Sequence, residues 1–252
     1  MPRQERAERT RELVVRAAAV CFDTTGFAAT SLSEIVEMAE VSKGALYFHF
    51  SSKEKLAEAV IAQLGTDWRE ILRAARTPDG PPLQSLIDMT HALARRMHQD
   101  VVFRAGLRLC DDRRRPGETA PVSPYLTWRR TVGLALARSR RRGELLPGLD
   151  LAQAAQMLTA TTAGIELLSR QDSGWLRPRV VAGAWGALLP ALVPVDRLDS
   201  FRPAGSIRPL PRPRSSVDTG RGEAGPGEAG SADLAGVRGD PVRERLHERV
   251  GH

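Results

Sequence analysis

The sequence of 252 residues contains no asparagine, only three lysines and only two cysteines, and its shortages exclude several classes of protein. Two cysteines cannot form a disulfide framework or a zinc cluster. No apolar run approaches the roughly 18 residues that a membrane-spanning helix needs. The N-terminus lacks the apolar segment of a secretion signal. These absences favour a cytoplasmic protein that does not enter a membrane.

Alanine, leucine and arginine dominate the composition, and these residues favour helices. The net charge is +7, which suggests an anionic partner, but the charge is unevenly distributed. Residues 1–76 carry 11 basic and 11 acidic side chains, whereas residues 77–200 carry 17 and 12. The total charge therefore says little about where such a partner binds. The three lysines, by contrast, all fall within residues 43–55.

Helix signals divide the chain into four parts. Apolar residues at helical spacing predict four helices before a Pro/Gly-rich break at residues 77–82 and four or five after it. A capping box at Ser51 and Glu54 is expected to open the fourth helix. The last 51 residues hold 9 Gly, 6 Pro and no aromatic residue, a composition that cannot bury a core. The expected parts are an N-terminal domain over 1–50, a connector helix over 51–76, a second helical domain over 77–200 and a disordered tail over 201–252.

Two short helices joined by a tight turn are predicted within residues 31–50. Ser31 and Glu34 form a capping box at the start of the first helix, and Ser42 caps the second. This arrangement is typical of a helix-turn-helix, whose second helix enters the major groove of DNA. Small residues at the start of that second helix let its backbone approach the base edges. The candidate DNA contacts in this region are Ser42, Lys43, Gly44, Ala45, Tyr47, His49 and Lys53.

Phosphate contacts explain most of these choices. Ser42 and Lys43 lie at a helix N-terminus, where the helix dipole favours an anion. The phenol of Tyr47 is a suitable donor to phosphate. Lys53 is expected to face the DNA backbone from the start of the next helix. His49 either contacts phosphate or caps the end of its own helix.

Other residues near this motif have a structural interpretation. Phe48 and Phe50 are expected to pack in the core rather than to stack on bases. The arginines of the first helix alternate with glutamates, which fits a solvated helix with i, i+4 ion pairs better than a DNA-binding arm. The arginine-rich run at 138–142 ends a helix, where cations complement the helix dipole.

The stretch VSKGALYFHFSSKE at residues 41–54 resembles the signature of tetracycline-repressor-type (TetR-family) regulators. The preceding TSLSEI at residues 30–35 matches the same pattern, and it adds Thr30, Ser31 and Ser33 to the candidate DNA contacts. The variant GALYFHF is similar to the γ-butyrolactone autoregulator receptors of antibiotic-producing bacteria. Further matches to those receptors lie downstream at residues 104–109, 143–147 and 163–165.

This resemblance implies an all-α, Ω-shaped homodimer with an N-terminal helix-turn-helix domain and a C-terminal ligand-binding and dimerisation domain. Ligand binding would tilt the connector helices, change the spacing of the recognition helices and release the operator. The expected partners are a double-stranded DNA operator, a small-molecule effector and a second copy of the chain. Neither a membrane partner, a cofactor nor a metal ion is expected.

The resemblance also places Trp128 in the ligand pocket, where its ring would cover the bound lactone. Its indole N–H could reach a carbonyl group. Threonine hydroxyls on apolar helices could orient a ligand, although helical threonines often bond to their own backbone. For the apolar candidates, a role in the plain core is an equal alternative. Trp175 and Trp185 are expected at the surface and at the dimer interface. The candidate ligand contacts are Trp128, Leu86, Met89, Phe103, Leu107, Thr131, Thr161, Thr162 and Ile165.

The resulting prediction is a ligand-responsive transcriptional repressor that binds a palindromic operator and controls antibiotic genes and its own promoter. Two alternatives stay open. The protein could be a pseudo-receptor for an antibiotic or intermediate, which the pI of 10.3 favours because the resembled pseudo-receptors tend to be basic. It could also be a constitutive DNA-binding factor without a ligand. An enzyme is not expected, because no hydrolase, P-loop or dinucleotide motif is present and the histidines do not cluster.

Overall fold

The computed structural model describes residues 3–75, 80–112 and 123–206, all of which belong to one unit, Met1–Pro213. These residues form helices and contain no strand, which confirms the prediction of an all-α fold. No helix among them combines the length and apolarity needed to span a bilayer. The α-helices are α1 Arg3–Thr24, α2 Leu32–Ala39, α3 Lys43–His49, α4 Lys53–Ala74, α5 Pro82–Gln99, α6 Val101–Asp112, α7 Pro124–Arg141, α8 Leu151–Ser169 and α9 Pro178–Leu188. Short 3-10 helices cover Ser173–Leu176, Leu189–Ala191 and Val195–Ser200.

Serine side chains start α2, α3 and α4. The Ser31 hydroxyl accepts the Glu34 N–H at 3.2 Å and the Glu34 carboxylate accepts the Ser31 N–H at 2.6 Å, so the predicted capping box is confirmed. At α4 the prediction is wrong by one residue. Ser52, and not Ser51, is the N-cap, and its hydroxyl accepts the backbone N–H of Lys55 at 3.3 Å.

The buried side chains of the described residues form two cores. The first core joins α1, α2, α3 and the start of α4, and it includes the fully buried Phe22, Ile35 and Leu46. The second core joins the rest of α4 to α5–α9, with Phe103 and Leu136 fully buried. The first core draws mainly on residues 14–60 and the second on residues 64–201.

Two helices contribute to both cores. Helix α4 buries Val60 in the first core and Trp68 in the second, and α6 buries Leu109 in the first and Phe103 in the second. The two helices approach closely at Gly106, where a Cβ atom would lie 2.7 Å from the Cβ of Leu64. Helices α4 and α6 are therefore anchored in both cores.

The ordered chain extends further than predicted. Phe201, expected in the tail, is only 6% exposed and packs in the second core. The Arg202 N–H donates to the Gln84 side chain of α5 at 2.8 Å. Residues 201–206 thus pack onto α5, and the predicted boundary at 201 is wrong because composition does not register these long-range contacts. The rest of the predicted tail, 207–252, lies outside the described residues.

Candidate functional site

Helices α2 and α3 form the predicted helix-turn-helix. Glu40 in the turn adopts a left-handed conformation, with φ of 53° and ψ of 40°, and its N–H bonds back to carbonyls of α2. Ile35 and Ala39 anchor α2 in the first core, and Leu46 anchors α3. The rest of α3 is therefore free to face a partner.

Four residues of α3 lie at helical spacing on its exposed side, and we call them the recognition face: Lys43, Gly44, Tyr47 and Phe48. Ser33 of α2 is exposed as well, whereas Ala45 and His49 are half-buried. Ser31 and Ser42 are exposed, and each hydroxyl already accepts a backbone N–H as a helix cap. Because a hydroxyl can donate while it accepts, both remain able to donate to phosphate.

Phe48 was expected in the core, and that prediction is wrong. Phe50 is indeed buried at 4% exposure, but Phe48 is 77% exposed. The helical phase explains the difference, because the buried Leu46 lies two residues before Phe48 and points to the opposite side. The Phe48 ring meets the His49 ring edge-on at 5.0 Å. The same phase, read from the sequence, would have placed Phe48 on the recognition face.

Lys53 does not face outward as predicted. Its ammonium donates to the carbonyls of Phe27 at 2.8 Å, Ala28 at 3.3 Å and Thr30 at 2.8 Å. It also lies 4.6 Å from the centroid of the Phe27 ring. An ammonium has three N–H donors, so all are used within the protein. The role assigned to Lys53 by this geometry is to hold the loop between α1 and α2.

Thr30 is also removed from the predicted DNA contacts. Its side chain is 2% exposed, and its hydroxyl bonds to the Gly26 carbonyl at 2.7 Å and to the Thr25 hydroxyl at 2.9 Å. A side chain that is buried and bonded in this way cannot reach DNA. It orders the loop that Lys53 holds.

A cavity of about 30 Å³ lies within the second core. A cavity of this size holds a water molecule or two. It receives side chains from α4 through α9. Its lining residues are Trp68, Thr90, Leu93, Ala94, Met97, Leu107, Tyr125, Trp128, Thr162, Ile165, Glu166 and Val181.

Of the predicted ligand contacts, the structure brings Leu107, Trp128, Thr162 and Ile165 together around this cavity. A smaller adjoining cavity of about 10 Å³ is lined by Thr161 and shares Thr162 and Ile165 with the first.

The remaining predicted ligand contacts do not line either cavity. Leu86, Met89 and Phe103 are buried in the second core away from the cavity walls, which is the plain-core alternative. The Thr131 hydroxyl donates to the Thr127 carbonyl of its own helix at 3.0 Å. Trp185, expected at a dimer interface, is 3% exposed and lines the smaller cavity, so that expectation is wrong.

The indole N–H of Trp128 is already occupied. It donates to the Thr162 hydroxyl at 2.7 Å, and Thr162 in turn bonds to carbonyls of its own helix. This bond ties α7 to α8 across the cavity. The prediction that this N–H meets a ligand carbonyl therefore does not fit the geometry, although the ring itself lines the wall.

A polar cluster at the edge of the cavity was not foreseen from the sequence. The Tyr125 hydroxyl donates to the Glu166 carboxylate at 2.6 Å, and Arg170 bridges Glu166 at 2.9 Å and Asp111 at 2.6 Å. Burial, followed by the Glu166 charge, raises the pKa of Tyr125 well above its ordinary value, so the phenol stays protonated. Tyr125 lies three residues from Trp128, and that helical spacing was the available signal.

Comparison with known proteins gives consistent matches over both cores. Residues 14–60 match the tetR family of bacterial regulatory proteins, and residues 81–194 match the tetracyclin repressor-like C-terminal domain. The A-factor receptor protein of Streptomyces griseus is 32% identical over 225 residues, which cover 89% of this chain and 78% of that protein.

Two solved structures are similar over most of their length. A gamma-butyrolactone receptor (ArpA-like protein) is 34% identical with a TM-score of 0.69, covering 79% of this chain and 96% of that one. CprB of Streptomyces coelicolor, solved in complex with its biological operator sequence, is 34% identical with a TM-score of 0.66. That match covers 77% of this chain and 94% of CprB.

Proposed function

Because the chain belongs to the TetR family of bacterial regulatory proteins, we propose that a small, largely apolar molecule releases it from a palindromic operator. As a member of this family it is a DNA-binding transcriptional repressor and not an enzyme. The effector, the operator symmetry and the target genes are the proposed part.

The recognition face is the proposed contact with the major groove. Lys43 and Tyr47 supply a cation and a phenol for phosphate, and Gly44 leaves room for the backbone to approach the bases. Phe48 joins them as an apolar side chain suited to a thymine methyl group. Ser31, Ser33, Ser42, Ala45 and His49 complete the proposed set at its margins.

A second copy of the chain is the proposed partner of α8 and α9. Helix α8 exposes Met157 and Leu167 at 59% each and Leu168 at 41%. Helix α9 exposes small residues, Gly183 and Gly186, which allow close helix packing. A two-fold dimer through these helices presents two recognition faces to successive major grooves, about 34–36 Å apart, and so requires a palindrome.

The connector helix carries the argument for ligand control. Helix α4 begins next to α3, packs Val60 in the first core and, two turns further on, places Trp68 in the cavity wall. Because the cavity holds only about 30 Å³, a ligand has to part its walls, and α4 is one of them. A ligand that prefers the parted state shifts the population away from the DNA-binding state.

The names of similar proteins support the class of effector. The similar solved structure is named as a receptor for a gamma-butyrolactone, a small lactone, and the Streptomyces griseus relative is named as a receptor for A-factor. The mainly apolar cavity, with a few hydrogen-bonding groups, suits a lactone with an alkyl chain. The protein is proposed to act in the cytoplasm on its own promoter and on antibiotic genes.

A gel shift with the DNA upstream of the protein's own coding sequence tests this proposal. Alkyl γ-butyrolactones are titrated into one series and a solvent extract of the producing culture into another. Release by lactone supports a hormone receptor. Release by the extract alone supports a pseudo-receptor, the alternative that the basic composition favours. A shift that neither releases contradicts ligand control and supports a constitutive factor, which the small cavity favours.

A further inference from the structure

The indole N–H of Trp68 has no hydrogen-bond partner among the described residues, although the side chain is only 8% exposed. The ring is held firmly in place. It stacks on Phe103 with centroids 5.9 Å apart and planes 4° from parallel, and it meets the Trp128 ring edge-on at 6.5 Å. A buried tryptophan N–H usually finds an acceptor, so this donor is unusual.

The other hydrogen-bonding side chains of the cavity wall are engaged within the protein. The Trp128 N–H donates to Thr162, the Thr90 hydroxyl donates to the Leu86 carbonyl at 2.9 Å, and the Tyr125 hydroxyl donates to Glu166. Among the described lining residues, Trp68 is thus the one donor whose hydrogen is unused. Because this nitrogen is itself buried, a ligand reaches the one unsatisfied donor of the wall only when it parts the walls of the cavity.

We infer that Trp68, and not Trp128, donates the hydrogen bond that recognises the effector. The effector accordingly carries an acceptor, a carbonyl oxygen of a lactone, ester or ketone, and an apolar body for the remaining wall. This inference rests on the proposed ligand control and specifies its chemistry. It also places the recognition bond on α4, so that the contact that selects the ligand lies on the helix that leads to α3.

The test compares a probe that carries an acceptor with one that has none. γ-Decalactone carries the lactone carbonyl, and hexylcyclopentane keeps the five-membered ring and the alkyl chain without any oxygen. Dissociation constants are measured by calorimetry for the parent, Trp68→Phe and Trp128→Phe. Both variants lose one indole in the same cavity wall, and only Trp68→Phe removes the unused donor. Unchanged helical content and a cooperative thermal melt show that each variant is folded.

The parent is expected to bind the lactone about 3- to 10-fold more tightly than the hydrocarbon, as one neutral hydrogen bond provides. Trp68→Phe is expected to abolish that preference, and Trp128→Phe to retain it. The indole proton resonance of Trp68, identified by its loss in Trp68→Phe, is expected to shift more with the lactone than with the hydrocarbon.

Two results overturn the inference while the proposed function stands: equal binding of both probes by the parent, or a lactone preference that survives in Trp68→Phe, each with operator release still observed. If the culture extract releases the operator but the lactone does not bind, the extract concentration that releases half of the operator is compared between the parent and Trp68→Phe. An unchanged concentration for Trp68→Phe overturns the inference, and a higher concentration supports it. Failure of every ligand to release the operator overturns the proposed function as well.

Discussion

Two lysines of the N-terminal domain are expected to respond oppositely to the same substitution. Lys43 is exposed on the recognition face, whereas the ammonium of Lys53 donates to three backbone carbonyls of the α1–α2 loop. Methionine keeps the length of the side chain and removes the charge. The pair therefore separates a phosphate contact from an internal clamp.

The magnitude for Lys53→Met follows from the bonds that are lost. Hydrogen bonds to a charged group contribute about 1.5–3 kcal/mol each, but the site is half-exposed and water can solvate the released carbonyls. We expect the free energy of unfolding to fall by about 2 kcal/mol, and Tm to fall by about 4–8 °C. Lys43→Met is expected to leave both quantities nearly unchanged.

The salt dependence of operator binding is expected to change more in Lys43→Met than in Lys53→Met, the reverse of the order expected for stability. Each phosphate contact contributes about 0.9 to the slope of log affinity against log salt concentration, so Lys43→Met is expected to lower the slope by about one per subunit. Lys53→Met is expected to weaken binding with little change of slope. Thermal melts and fluorescence anisotropy at several salt concentrations measure both effects. A slope loss for Lys53→Met equal to that for Lys43→Met, without loss of stability, would show that Lys53 contacts phosphate and does not clamp the loop.

Three further predictions concern single positions. Glu40→Gly is expected to raise the free energy of unfolding by about 1 kcal/mol relative to Glu40→Ala, because only glycine accepts the left-handed turn without strain; chemical denaturation measures the difference. Backbone and hydroxyl hydrogen bonds at the start of α2 lower the pKa of Glu34 below its ordinary value of 4.5. The stabilising contribution of its carboxylate is therefore present above pH 4.5 and lost as the pH falls through the lowered pKa, so the stability difference between the parent and Glu34→Gln is expected at pH 7 and should vanish in acid. Gly106→Ala is expected to cost about 1–3 kcal/mol by forcing α6 from α4, whereas Gly133→Ala, with open space around it, should not destabilise; equal denaturation midpoints for the two variants would contradict the packing account.

Local signals explain what could be predicted from the sequence. Ser31 and Ser42 cap α2 and α3 through bonds within three residues, so a short stretch of sequence carries the necessary information. The family resemblance drawn from residues 41–54 is confirmed by the matches over both cores. The exposure of Phe48 follows from local sequence as well, because its helical phase is opposite to that of the buried Leu46.

Tertiary contacts explain what could not be predicted. Lys53 bonds to carbonyls 23–26 residues away, so its orientation depends on how the α1–α2 loop folds against α4. Tyr125 and Glu166 meet from different helices, 41 residues apart. Whether a cavity residue has an unused donor, as Trp68 does, depends on every neighbouring side chain. No spacing rule in the sequence contains that information.

The proposed coupling between ligand and operator is measured by calorimetry of one ligand against two states of the protein. γ-Decalactone is titrated into the free protein and into the protein saturated with its operator. Linkage requires that the lactone binds the operator complex more weakly, by the same factor by which the lactone weakens operator binding. The account predicts equal factors of at least about fivefold. Equal lactone affinity in the two states would show that the cavity does not communicate with the recognition face, and would contradict the account.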